Sequence, residues 1–117
     1  MLTRRFPFLD PAHITPDLAR CLRALADDCE RLALSRAVSP ILLAKAPLLE
    51  DWLPTVTPLG VQLVGRVSGH PPHGDRVIAT SPVWFADPDG TWARTLSRYY
   101  QLGPPLHRDD DLRATRN

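Results

Sequence analysis

The sequence predicts an α+β fold: an N-terminal amphipathic helix and short helices packed on one face of a roughly three-stranded antiparallel meander. Three observations lead there. Apolar residues recur at spacings of three and four from Leu18 to Leu32, prolines punctuate residues 40–58, and alternation with a period of two begins at Leu59. Helices first and strands after them argue for segregated layers. At 117 residues the chain reads as a single domain over residues 1–105, followed by a disordered tail over 106–117.

Residues 1–13 form an irregular arm carrying Phe6, Phe8 and Leu9. Thr15-Pro16-Asp17 then starts a helix, with a capping hydroxyl, proline at the first helical position and an acid in the first turn. Leu18, Leu22, Leu25, Cys29 and Leu32 build its apolar stripe to about Arg36, and arginines and acids fill the other side. Cys21 and Cys29 both fall toward that stripe. Eight residues of helix separate them by about 12 Å, beyond the roughly 7 Å a disulfide spans. They are expected to be free, buried thiols in a cytoplasmic protein.

Ser39-Pro40 starts a short helix over 41–46, and Pro47 opens a further turn through Leu53 that Pro54 and Pro58 close. The first strand follows from Leu59 to Ser68. A loop, His70-Pro71-Pro72-His73-Gly74-Asp75, leads to a second strand beginning at Arg76. Ser81-Pro82 bends that strand. Val83–Ala86 resumes it, Asp87-Pro88-Asp89-Gly90 is a tight turn, and residues 91–102 make the last strand. Order is expected to end at Gly103-Pro104-Pro105.

Composition narrows the function. A net charge of +1 supplies no long-range field for nucleic acid. The N-terminus lacks the apolar core of a secretory signal, and no apolar run reaches membrane-spanning length. No Cys-x-x-Cys, phosphate-binding glycine loop or serine elbow occurs, and Glu30 and Glu50 are the only glutamates. These absences argue for a non-enzymatic protein without cofactor or metal.

Two residue groups remain. His70, His73 and Asp75 resemble a partial metal or catalytic set, but Pro71-Pro72 holds the backbone between them extended, so the imidazoles need not converge, and no clear third and fourth ligand is evident. In a continuous last strand, Trp92, Arg94, Leu96, Arg98, Tyr100 and Leu102 share one face. Either this face is buried as the apolar side of the sheet, with each arginine reaching the edge or an acid such as Asp87 or Asp89, or it is exposed as an arginine–aromatic surface that suits a protein hot spot. The same mixture also stacks bases and holds phosphates, with Arg66 and Arg76 beside it. The candidate partner-binding residues are therefore Trp92, Arg94, Arg98, Tyr100, Arg66 and Arg76.

The motifs Gly65–Pro71 (G-x-V-x-G-H-P), Thr80–Pro82 (T-S-P) and Trp92–Gly103 (W-A-R-T-x-S-R-x-Y-x-L-G) resemble those of a family of small uncharacterised bacterial proteins. The resemblance covers about residues 46–103. It implies an accessory role on mobile elements of high-GC genomes. By class analogy it points to a protein–protein inhibitor or regulator, such as an anti-CRISPR-like inhibitor of host defence. A nucleic-acid-binding accessory protein is the alternative, and an enzyme using His70, His73 and Asp75 the remote one.

Overall fold

Thr15 caps the longest helix as its hydroxyl predicts: Thr15 Oγ1 accepts from the Leu18 N–H at 3.1 Å. This is seen in a computed structural model that describes residues 1–68 and 76–106. The chain divides into two compact units, Met1–Ala37 and Val38–Asn117. The first unit holds a one-turn helix α1 (Leu2–Arg5), 3-10 turns at Pro7–Leu9 and Pro11–His13, and helix α2 (Pro16–Ser35). α2 ends where Arg36 turns left-handed at φ 60°, and the Arg36 N–H donates to the Leu32 carbonyl at 2.7 Å. No helix among the described residues is long and apolar enough to cross a membrane.

Leu25 is buried in the middle of the α2 stripe, with Leu18, Cys21 and Leu32 half-buried around it. Cys29 departs from the expectation: it is exposed, although both thiols are free. At about 100° per residue, Cys29 and Leu22 lie on one margin of the stripe and Cys21 on the other. The buried face is turned toward Cys21 and Asp28, leaving Cys29 and Leu22 at its open edge.

The second unit begins with helix α3 (Pro40–Lys45) and continues as β1 (Leu48–Thr57), β2 (Gly60–Ser68), β3 (Arg76–Ala79), β4 (Val83–Ala86), β5 (Trp92–Thr95) and β6 (Tyr99–Leu102). These form one six-stranded sheet in the order β3-β2-β1-β6-β5-β4. It is mixed: β1 and β6 run parallel through Leu48–Gln101 and Leu49–Leu102, and the other neighbours are antiparallel. The three-stranded meander is thereby corrected in three places.

First, residues 48–57 are a strand and not a proline-bounded turn. Beyond Trp52, β1 has only β2 as a strand neighbour among the described residues, and there Pro54 is tolerated. A bulge between Glu50 and Leu53 places Asp51 at φ 50°, a conformation aspartate accepts more readily than most residues. Second, residues 91–102 are a hairpin and not one strand. The Thr95 hydroxyl accepts from the Ser97 and Arg98 N–H groups, both at 3.2 Å, and donates to the Arg98 carbonyl at 3.1 Å. A side chain thus builds the turn that glycine or proline usually signals.

Third, residues 76–86 are not one bent strand, because β3 and β4 lie at opposite edges of the sheet. Order also extends past Gly103. The Asp51 N–H donates to the Pro104 carbonyl at 3.0 Å, the Leu106 N–H to the Trp52 carbonyl at 2.9 Å, and Trp52 Nε1 to the Gly103 carbonyl at 2.8 Å. Residues 103–106 therefore line β1. Most of the predicted tail lies outside the described residues.

The two edges of this sheet are consecutive in sequence. Only Thr80, Ser81 and Pro82 separate β3 from β4. Six strands laid flat hold their outer members about 24 Å apart at 4.8 Å per step. Ala79 to Val83 reaches at most about 14 Å when extended. The sheet must therefore roll until its edges approach, and β2 does touch β4. The linker joins both sides: Thr80 is hydrogen-bonded to Leu63 in β2, and the Pro82 carbonyl accepts from Leu96 in the β5–β6 turn at 2.9 Å.

The inner face of the roll carries the core. Leu49, Leu63, Val67, Ala93 and Tyr100 are its buried members, packed with Trp52, Ile78, Val83 and Leu102. Gly65 sits among them because a Cβ there would meet the Glu50 carbonyl and Leu49 at 3.0 Å.

Candidate functional site

At one end of the roll the apolar lining gives way to two arginines. Arg76 begins β3 opposite Val67 and so leaves from the same face as the core. Being the first residue of its strand, it ends exposed. Tyr100 stands opposite Ala93 on that face and is buried to 8% exposure. Arg98 is exposed in the Thr95-built turn beside it. With Pro47, Val67 and Ile78 these three side chains line a pocket of about 120 Å³. Among the described residues neither arginine has an ion-pair partner. Burial pushes the Tyr100 phenol above its ordinary pKa, while Arg98 and then Arg76 pull it back.

The other predicted contact residues separate. Trp92 and Arg94 pair with Gln101 and Tyr99, which places them on the face opposite Tyr100. The shared face expected for Trp92, Arg94, Arg98 and Tyr100 does not form, because the turn at 96–98 interrupts the alternation. Arg94 is 2% exposed. Its guanidinium carbon lies 5.3 Å from the Tyr99 ring centroid, and Nη1 donates to the Thr95 carbonyl at 2.6 Å. Phe85, Trp92 and Tyr99 meet one another edge to face, with centroids 5.7–6.2 Å apart. Arg94 is part of the scaffold.

Arg66 is engaged as well, with Nη2 3.3 Å from Asp51 Oδ2 and Nη1 3.8 Å from Glu50 Oε1. Of the six predicted contact residues, the structure brings together Arg76, Arg98 and Tyr100. Pro47, Val67 and Ile78 were missed as lining, and their proximity depends on strand order, which no local pattern reveals. His70, His73 and Asp75 lie outside the described residues. Among the described residues no group of three or more His, Cys, Asp or Glu is placed to hold a metal ion.

No curated protein and no solved structure matches the chain. A family model matches residues 17–114, spanning the motifs between Gly65 and Gly103. The chain belongs to that family, described as a family of unknown function (DUF6634).

Proposed function

We propose that this is a non-enzymatic, cytoplasmic binding protein of a bacterial accessory genome, acting as an inhibitor or regulator through contact with a protein partner. The observation that carries the reading is the convergence of Arg76, Arg98 and Tyr100 on one pocket, with both arginines unpaired among the described residues. Arginine and tyrosine are the residue types that anchor protein interfaces, and a pocket concentrates their contribution. Nucleic acid is the weaker fit. With Arg94 buried and Arg66 engaged by Glu50 and Asp51, the arginine face reduces to two cations, short of the row that tracks a phosphate backbone.

The test is affinity capture from cells of the native host, with wild type beside the double variant Arg76→Gln, Arg98→Gln. A protein held by wild type, lost by the variant and indifferent to nuclease supports the reading. Nuclease-sensitive capture, or capture equal in both, overturns it.

A further inference from the structure

The pocket at the Arg76 end of the roll is small, positively lined and partly enclosed. Its volume of about 120 Å³ corresponds to on the order of four waters at about 30 Å³ each. A group of about five heavy atoms fits, whereas a nucleoside or a drug-sized ligand takes about 300 Å³ or more. The lining residues are Pro47, Val67, Arg76, Ile78, Arg98 and Tyr100. Among the described residues they include two fixed positive charges and no carboxylate. Nor, among the described residues, does a serine, cysteine or histidine line it to attack a bound group or take its proton. The chemistry provided is therefore recognition of an anion.

The donors indicate which anion. Each guanidinium presents a planar fork matched to two oxygens, and the Tyr100 hydroxyl adds a third direction. A carboxylate has two oxygens and one charge, so it leaves a cation uncompensated. A phosphate monoester has three free oxygens and carries close to two charges at neutral pH. It answers both the charge and the donor set. A phosphate diester carries one charge and has a substituent on either side, and the volume admits only a terminal group.

We propose that the Arg76–Arg98–Tyr100 pocket binds the terminal phosphoryl group of a phosphate monoester as its dianion. This rests on reading the same pocket as the contact surface, and it specifies what the partner presents there. The group can come from a phosphorylated side chain or from a small phosphomonoester, and the test separates these sources.

The experiment is calorimetric titration of the full chain at neutral pH. The probes are inorganic phosphate, methyl phosphate, dimethyl phosphate, acetate, a phosphoserine peptide and a single-stranded oligonucleotide without terminal phosphate. Saturable binding of inorganic and methyl phosphate is expected, with dimethyl phosphate and acetate weaker by about tenfold or more, as for loss of a charged hydrogen bond. Arg76→Gln and Arg98→Gln should each weaken methyl phosphate by a similar factor. Tyr100→Phe, which keeps the buried ring, should weaken it several-fold with little change in melting.

A peptide tighter than methyl phosphate assigns the source to a protein, and equal affinities assign it to a small molecule; both support the site. Three results overturn it: no saturable phosphate binding, equal binding of dimethyl phosphate or the oligonucleotide, or variants that bind phosphate like wild type. If phosphate fails to bind but the arginine variants still lose a captured protein, the phosphate site falls and the contact surface stands. Phosphate binding with no loss of partner sinks the contact surface and leaves the site.

Discussion

Thr80 and Leu63 hold each other through two hydrogen bonds: the Thr80 N–H donates to the Leu63 carbonyl at 2.9 Å, and the Leu63 N–H donates to Thr80 Oγ1 at 3.0 Å. The Thr80 hydroxyl donates onward to the Ser81 carbonyl at 2.8 Å. Thr80 is only 2% exposed. This junction closes the rolled sheet at the point where β3 hands over to β4.

Thr80→Val keeps the shape and leaves the Leu63 N–H and Ser81 carbonyl without their partner. Denaturant unfolding should show a loss of roughly 1–3 kcal/mol, the cost of a buried unsatisfied polar group. Thr80→Ser should retain most of the stability. A valine variant as stable as wild type means the hydroxyl does not close the roll.

Gly65 carries no side chain because β1 passes too close. A Cβ there would lie 3.0 Å from the Glu50 backbone carbonyl and from two Leu49 side-chain atoms. Backbone yields less easily than a side-chain tip, so Gly65→Ala should cost about 1–3 kcal/mol as an overpacked core does. Gly90→Ala is a useful contrast. Nothing lies within 4 Å of its Cβ position, but φ is 78°, so its cost comes from backbone strain alone. A melt of Gly65→Ala equal to that of wild type means β1 can shift away.

Elements announced by local chemistry could be read from the sequence. Thr15-Pro16-Asp17 starts α2, and Asp87-Pro88-Asp89-Gly90 turns β4 into β5. β1 was hidden because Pro54 within it and Pro47 and Pro58 beside it read as breakers, and Pro54 is harmless there because, among the described residues, β1 pairs on one side only at that point. The β5–β6 turn was hidden because a threonine hydroxyl shapes it. That one turn decided the site. Without it, parity puts Trp92 and Arg94 beside Tyr100; with it, Tyr100 joins the core face and meets Arg76 from the opposite side of the sheet order.

Asp87 should give the β4–β5 turn a pH dependence. Its carboxylate accepts from the Thr91 hydroxyl, from the Asp89 N–H at 3.2 Å and from the Thr91 N–H at 3.3 Å. The Thr91 hydroxyl first, and the Asp89 N–H next, hold its pKa below the ordinary 3.8. A lowered folded-state pKa means the carboxylate stabilises the fold above the unfolded value, and the effect fades as pH falls through the lower folded value. Melting of wild type and Asp87→Asn should differ by a constant amount above about pH 5 and begin to converge only as pH falls below the ordinary value of 3.8 toward the lower folded value. Parallel profiles down to pH 3 would show that the turn does not depend on the charge.

Arg94 and Arg98, four residues apart, should behave oppositely. Arg94 is buried, with its guanidinium over the Tyr99 ring and bonded to the Thr95 carbonyl. Arg94→Ala removes a charge-assisted hydrogen bond, worth roughly 1.5–3 kcal/mol, together with the contact of the guanidinium with the Tyr99 ring. Unfolding should show a loss of about 2 kcal/mol or more. Arg98 is exposed and without an ion-pair partner among the described residues. Arg98→Ala should therefore change stability by less than about 0.5 kcal/mol, while anion binding weakens by about tenfold or more and partner binding weakens with it. The two residues are to be compared in one background by both melting and titration. A large stability loss at Arg98 makes the turn a strut, because a side chain holding the fold is not free to serve a ligand. An unchanged melt at Arg94 frees that arginine for the outer face and returns Trp92 to the contact surface.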